Sequence, residues 1–244
     1  MDGSSRIVRW RASGPYRPTS VLKSAFLTET REYLLAFART GNLNGTRQTL
    51  VGSGLPQRSI YSRATIAKII RMRIASWNPP SWVLDDLVMF ASDGGEQSLP
   101  AALLLHVARQ DSLLYDFVQT VVVPRWESGN RSLIRSDVQR FLDDSEPEHP
   151  EIATWSHLSR QKMSGNALTI LRDYGLLCGT QVKHIVEPVV PLSVACHLVK
   201  LLLAEGVCAE DVSSHPDWRL WFWTKQRVAE AVKSFEKNDR GVSV

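Results

Sequence analysis

The chain has 244 residues, of which 43% are hydrophobic and 22% are charged, and its formal net charge is +4. This composition excludes a disordered chain and allows a sizeable core in one large domain or two small ones. Three cysteines without a Cys-x-x-Cys spacing exclude a disulfide scaffold and a cysteine-rich zinc site, so we expect buried, reduced thiols at Cys178, Cys196 and Cys208.

The N-terminal residues 1–19 predict a basic arm. They combine glycine and proline with four arginines and contain no apolar segment of the kind found in signal peptides. The most apolar stretch, residues 189–204, is interrupted by Pro191, His197 and Lys200, so it falls short of the roughly 20 apolar residues that a membrane span needs. We therefore expect a cytoplasmic protein.

Residues 20–142 predict an N-terminal helical domain. Thr19 or Ser20 can cap a first helix that runs to Thr40, where Gly41 ends it. A short helix at residues 46–51, a turn with two glycines and a longer helix at residues 57–77 follow, in the order of a helix-turn-helix.

Four further segments complete this predicted domain. Residues 82–92, 100–109 and 133–142 have helical spacing of their apolar side chains. Residues 112–123 are apolar and predict a helix at their start, whereas the valines at 121–123 allow a strand.

An acidic, proline-containing segment at residues 143–153 is the predicted linker to a C-terminal domain at residues 154–244. In that domain we expect a short helix at 154–158, a helix at 161–174 ended by Gly175, and a hairpin around Gly179. This is the order of a winged helix, and two more helices follow, at 192–205 and 218–235.

The predicted fold class is therefore all-α. It is a multi-helix globular fold with two helix-turn-helix units, of which the second is winged by a small β-hairpin. We interpret the tryptophans near the C-terminus as core residues rather than as a stacking platform for bases.

The charge is distributed unevenly along the chain. Residues 1–84 contain 13 Lys/Arg and 3 Asp/Glu, whereas residues 85–153 contain 5 Lys/Arg and 13 Asp/Glu. No acidic residue lies between Glu32 and Asp85, a stretch that contains seven Lys/Arg. Such a block indicates a polyanionic partner or an acidic partner domain, and the acidic middle of the chain is itself a candidate.

The sequence shows no catalytic pattern. It lacks the nucleophile elbow, the phosphate-binding loop, the dinucleotide fingerprint and the zinc-protease helix, and no acid, base and nucleophile are predicted to meet. We therefore expect no enzyme activity, no metal site and no cofactor.

The helix at residues 57–77 is the first candidate DNA contact. Ile60, Ala64, Ala67, Ile70 and Ile74 form a predicted apolar arc. Basic side chains that lie off this arc or at its edge could reach phosphates. A basic side chain inside the arc must either pair with another group of the protein or extend past the apolar surface to solvent. The predicted contacts are Arg58, Arg63, Lys68, Arg71 and Arg73, of which Arg63 is the one inside the arc.

The helix at residues 161–174 is the second candidate. Polar side chains cluster at its N-terminal end, the end that a recognition helix presents to base edges. The predicted contacts here are Arg160, Lys162 and Asn166, with Lys183 on the wing. Winged helices also bind proteins, so a protein interface is the alternative for this unit.

Taken in order, these features resemble the BrxA family of BREX bacteriophage-exclusion systems over about residues 20–190. The likeness is carried by Arg63, Lys68, Arg71 and Arg73, by residues 101–104 and 113–118, and by the run at 155–177 with Ile185 and Pro188. The resemblance implies an all-helical, non-catalytic protein that binds double-stranded DNA. It also implies partners among the other BREX components, which include a methyltransferase, a phosphatase-like protein and an ATPase.

Two other functions stay open at this stage. The chain could be an assembly adaptor whose basic half docks onto an acidic partner. It could also be an RNA-binding, antitermination-like protein, because such small helical proteins carry arginine-rich N-terminal arms.

Overall fold

The computed structural model describes residues 12–17, 24–92 and 97–241, with the side chains described as far as residue 237. Within the predicted arm, the described part packs against the body of the protein. The ring of Tyr16 is buried and stacks on His149 with centroids 3.6 Å apart, and its backbone N–H donates to the Glu151 carboxylate. The predicted caps Thr19 and Ser20 lie outside the described residues.

Three helices form the first part of the fold. Helix α1 covers Leu27–Thr40, so it begins later than predicted, and Gly41 ends it as predicted with φ at 66°. Helix α2 covers Leu43–Thr49 and is continued by a π-helical turn at Leu50–Gly54. Helix α3 covers Ile60–Ile74, and the Ser59 side chain caps it by accepting a hydrogen bond from the Ser62 N–H.

The fifth helix lies at the centre of the molecule. Helix α4 covers Ser81–Ser92 and α5 covers Ser98–Gln110. Residues 101–109 of α5 are all buried, which is the burial expected of a helix with apolar side chains on every face. Helices α3, α4 and α10 pack around it.

A continuous helical rod follows α5. Helix α6 covers Ser112–Phe117, and the chain continues through a π-helical turn at Val118–Val122 into α7, which covers Val123–Glu127. The alternative that residues 121–123 form a strand is therefore wrong. Asp111 caps the rod, because its carboxylate accepts a hydrogen bond from the Leu114 N–H.

The next part of the chain forms a small sheet beside two helices. Strand β1 (Ser132–Leu133) precedes α8 (Arg135–Ser145), a 3₁₀ turn at Pro150–Thr154 and α9 (His157–Asp173).

The predicted hairpin is present as β2 (Leu177–Cys178) and β3 (Lys183–Ile185). These two strands and β1 form an antiparallel sheet in the order β1-β3-β2, with Leu133 paired to Lys183 and Leu177 to Ile185.

The remaining elements close the fold. They are α10 (Leu192–Ala204), α11 (Ala209–Val212), a 3₁₀ segment (Pro216–Trp221) and α12 (Lys225–Gly241). The predicted helix at 218–235 is thus divided, because Phe222 adopts a left-handed backbone with φ at 58°. The rings of Trp218, Trp221 and Trp223 are buried against one another, as their core interpretation expects.

The prediction of an all-α fold with a small β-hairpin is confirmed. One cluster of buried residues includes side chains from both sides of the predicted linker, among them Leu104 and Leu171. The division into two domains stays a prediction. The expectation of buried thiols is wrong for Cys178 and Cys208, which are exposed, and Cys196 is only half-buried. No helix in the described ranges combines the length and the hydrophobicity needed to cross a bilayer.

Candidate nucleic-acid interface

Helix α3 has one buried face and one exposed face. Ile66, Ala67, Ile70 and Ile74 pack into the core, while the opposite side of the helix is open to solvent. Ile60 was predicted to belong to the apolar face, but it is 65% exposed because the helix begins at this residue. The exposed basic side chains at or next to α3 are Arg58, Lys68 and Arg71.

Arg63 lies on the inner side of α3 and holds the preceding loop in place. Its Nε donates to the Val51 carbonyl at 2.7 Å, and its Nη1 donates to the Gln57 and Arg58 carbonyls at 2.7 and 3.2 Å. The basic residue inside the predicted arc is thus accommodated by pairing with backbone oxygens. Its Nε and Nη1 donors are directed at the protein backbone, so this geometry gives no support to its predicted DNA contact.

Arg73 is buried, which corrects its predicted placement off the apolar arc. Its Nη1 donates to the carbonyls of Ser24 and Ala25 at 2.9 and 3.1 Å, and its guanidinium carbon lies 5.8 Å from the Phe26 ring centroid. A cation buried in this way is stabilised by carbonyl dipoles and an aromatic face. Its role is to fix the segment that leads into α1.

An open groove of about 770 Å³ runs along the exposed side of α3, and we call it the Tyr61 groove. Its lining residues come from α1, α2 and α3, and none of them is acidic. They are Tyr33, Arg47, Tyr61, Ala64, Thr65, Ala67, Lys68, Ile69, Arg71 and Met72. Arg47 was not among the predicted contacts; the lack of acidic residues between Glu32 and Asp85 was the signal that could have included it.

Tyr33 lies in the Tyr61 groove as a buried side chain. Burial raises the pKa of its phenol, and the nearby positive charge of Arg71 partly opposes that rise. Among the described residues, the Tyr33 hydroxyl has no hydrogen-bond partner. A buried polar group without a partner is uncommon in folded proteins and requires an explanation.

Helix α9 begins earlier than predicted, and its N-terminal end is tied to acidic side chains. Arg160 donates to Asp143 at 3.0 Å, to Glu146 at 2.8 Å and to the Ile152 carbonyl at 2.9 Å. It thereby fastens α9 to the end of α8 and to the 3₁₀ turn. The Arg160 guanidinium therefore makes contacts within the protein, and two carboxylates lie where contacts to DNA bases were predicted.

Two of the residues predicted to contact DNA lie towards solvent on α9. Lys162 is exposed and Asn166 is half-buried. A side chain that was not predicted joins them: the Arg135 guanidinium lies against Gly165, so close that an added Cβ would be 3.2 Å from its Nη2. The first residue of α8 thus brings a positive charge onto the surface of α9.

Lys183 is buried and closes the turn of the hairpin. Its Nζ donates to the carbonyls of Gly179 and Thr180 at 2.8 and 2.5 Å. These bonds correct the expectation of a lysine projecting from the wing. The exposed side chain next to it on β3 is His184.

The same turn depends on Gly179, and we predict that Gly179→Ala destabilises the fold. Gly179 has φ at +91°, and an added Cβ would lie 2.5 Å from the Val182 carbonyl oxygen. We expect a loss of about 2–4 kcal/mol in the free energy of unfolding, from backbone strain and overpacking together. Gly129→Ala is the matched control, because Gly129 has φ at +76° with nothing within 4 Å, so its loss should be about 1–2 kcal/mol. Equal losses in urea unfolding would contradict the role of the close contact.

Comparisons with known proteins agree with this architecture. The BrxA family model matches residues 14–201, which is more than half of the chain. A crystal structure of an uncharacterized protein from Magnetospirillum magneticum is similar with a TM-score of 0.64 and 18% sequence identity, over 80% of this chain and 98% of that chain. At this identity the likeness concerns the fold alone. No curated protein matches the sequence.

Proposed function

Because the chain belongs to the BrxA family, we propose that it is a non-catalytic, DNA-binding component of a BREX bacteriophage-exclusion system. In this proposal it contacts double-stranded DNA through the basic side of α2 and α3. The chemistry of the system belongs to its partners, among which we place a methyltransferase, a phosphatase-like protein and an ATPase.

One observation carries the DNA-binding proposal. Arg47, Arg58, Lys68 and Arg71 are all exposed, and no acidic residue between Glu32 and Asp85 is available to neutralise them. Lysine and arginine side chains that neutralise phosphates release condensed counterions, and this release supplies most of the non-specific affinity for DNA. The surface is therefore suited to the phosphate backbone without reading a particular sequence.

The order of the elements supports a helix-turn-helix at this surface. Helices α1, α2 and α3 follow one another as a three-helix unit, in which α3 occupies the place of a recognition helix. We further propose that α6 to β3 form a winged helix: the rod of α6 and α7 is followed by β1, α8, α9 and the hairpin of β2 and β3. In this unit α8, rather than the predicted helix at 154–158, precedes the recognition helix.

A second candidate function applies to the winged unit. Two carboxylates, Asp143 and Glu146, surround Arg160 at the N-terminal end of α9, and Leu158 in the first turn is 58% exposed. Negative charge repels phosphates, whereas an exposed leucine favours a protein surface. This end of α9 therefore suits an adaptor that binds another BREX protein.

The experiment that tests DNA binding is fluorescence anisotropy of the purified protein with a labelled random duplex, titrated with salt. We expect Lys68→Ala combined with Arg71→Ala to lower the affinity about tenfold or more, equally on unrelated sequences. The slope of log affinity against log salt should fall by about 2, because about 0.9 counterions are released for each phosphate contact.

The matched control removes the same number of charges elsewhere. Lys225 and Lys233 are exposed on α12, and their combined replacement by alanine should leave affinity and slope unchanged. If both double variants lost affinity to the same extent, the loss would reflect the lower net charge and not the position of the replaced side chains. The absence of duplex binding at low salt would reject the proposal and favour the adaptor, especially if co-purification with BREX proteins survives nuclease treatment.

A further inference from the structure

The Tyr61 groove has features that phosphate contacts alone do not require. Much of its lining is apolar, from Ala64, Ala67, Ile69 and Met72, and its volume falls within the range of small-ligand sites. A surface that only contacts the backbone of a duplex needs charge and polar donors. The groove therefore combines a phosphate-binding edge with space for an apolar, planar group.

Tyr61 supplies a platform for such a group. It lies in the first turn of α3, and 82% of its side chain is exposed. An aromatic side chain this exposed loses the free energy of burial, which is large for tyrosine. Stacking against the π-face of a nucleobase would recover that burial and is tolerant of base identity.

The positive charges lie around the same space. Arg47 enters the groove from α2, while Lys68 and Arg71 lie about two and about three turns beyond Tyr61 along the exposed side of α3. Tyr33 adds a hydroxyl from α1 that has no partner among the described residues, close enough to Arg71 to respond to its charge. A ligand with both a phosphate and polar base or sugar atoms would satisfy these groups together.

We propose that the Tyr61 groove binds an unpaired nucleotide of a DNA strand. The base stacks on Tyr61, the flanking phosphates are bound by Arg47, Lys68 and Arg71, and the Tyr33 hydroxyl hydrogen-bonds the nucleotide. The inference rests on the proposed function and deepens it, because it specifies the form of DNA that this surface prefers. A base inside a duplex is paired and stacked on its neighbours, so its face is not available to Tyr61.

The test compares two labelled DNAs of equal length and phosphate number: a fully paired duplex and a duplex with a short central unpaired tract. We expect the second to bind about tenfold more tightly, which is within the range measured for base–aromatic stacking. Tyr61→Ala should abolish this preference and leave the affinity for the paired duplex within about twofold. Tyr61→Phe should retain it, because the ring is kept.

Tyr33→Phe provides an independent measurement. It removes a hydroxyl for which the described part of the chain offers no hydrogen-bond partner, so thermal stability should be unchanged or higher. The affinity for the unpaired tract should nevertheless fall about threefold or more, while the affinity for the paired duplex stays the same. If Tyr33 had a purely structural role, Tyr33→Phe would lower the thermal stability and leave the affinity for the unpaired tract unchanged.

The outcomes separate this inference from the proposed function. Duplex binding with equal affinity for both DNAs and no effect of Tyr61→Ala would overturn the inference and leave the proposed function standing. Binding of unpaired DNA alone, dependent on Tyr61, would support the inference and reject the duplex as the ligand. Tyr61-dependent binding of a labelled glutamate-rich peptide, with no binding of unpaired DNA, would assign the groove to an acidic protein segment and overturn the inference.

Discussion

Replacing Arg109 by methionine will lower the free energy of unfolding by about 3–5 kcal/mol. The Arg109 guanidinium is buried in the centre of the fold and donates to two buried carboxylates, those of Glu205 and Asp217. Tyr115 also donates to Asp217, at 2.8 Å. The substitution leaves two negative charges in the protein interior without their cation, and burying an unpaired charge is among the most destabilising changes known.

The effect reaches across the chain because the cluster joins distant elements. Arg109 belongs to α5, Glu205 follows α10, and Asp217 lies in the 3₁₀ segment before α12. Urea unfolding followed by tryptophan fluorescence measures the loss. Adding Glu205→Gln and Asp217→Asn to the variant should restore part of the stability, since the carboxylate charges are then removed.

Arg172→Met is the matched control for Arg109→Met. Arg172 pairs with Asp173 at 2.7 Å, but its side chain is 40% exposed, so we expect a loss of at most about 1 kcal/mol. A comparable loss in the two variants would show that burial of the Arg109 cluster contributes little.

Lowering the pH from about 7.5 to about 5.5 will destabilise the protein, because two buried histidines must stay neutral in the fold. His106 and His197 share a hydrogen bond of 2.9 Å between their Nε2 atoms, and His197 Nδ1 lies 2.7 Å from Asp86. If His197 Nδ1 donates to Asp86, its Nε2 accepts from His106. Protonation of His197 at Nε2 would then place two N–H groups against each other.

The sign of the pH effect follows from the direction of the pKa shifts. Burial lowers the pKa of His106 well below its ordinary value, helped by His197 and Arg109. Burial also lowers the pKa of His197, aided by Lys200 and Arg109 and opposed by Asp86. The unfolded chain therefore binds more protons than the folded protein as the pH falls below about 6.5, and the stability present above that pH is lost. Each histidine contributes at most about 1.4 kcal/mol per pH unit.

Urea unfolding at a series of pH values measures this loss, and NMR titration of the histidine rings in the folded protein provides a second reading. We expect both buried rings to titrate below the ordinary range of histidine, because burial disfavours their charged forms. Titration of His106 near its ordinary pKa would contradict the prediction.

Local sequence determined several of the helix ends. Gly41 and Gly175 end helices as predicted, since a left-handed backbone at these positions depends on the residue itself and its immediate neighbours. The start of α1 did not follow this rule. It begins at Leu27, after a left-handed Phe26 without a side-chain cap, and the Arg73 guanidinium binds the carbonyls just before it. A contact from another helix thus accompanies a start that local propensity places elsewhere.

Strand pairing was only partly predictable. The hairpin of β2 and β3 was expected because its strands are neighbours in the sequence. Strand β1 has two residues and pairs with β3 across about 50 intervening positions, so no local pattern indicates it. The packing of α8 against α9 brings it next to β3 in the folded protein.

The sequence by itself determined the helical fold class, the family likeness and the basic block between Glu32 and Asp85, because composition, periodicity and residue order carry all three. The tertiary structure decided which basic side chains of this block remain exposed and available to a ligand. Lys68 and Arg71 stay exposed, whereas Arg63 and Arg73 are bound by carbonyl oxygens. A long basic side chain is attracted to any oxygen within reach, and whether that oxygen belongs to a distant backbone or to a phosphate depends on how the chain packs.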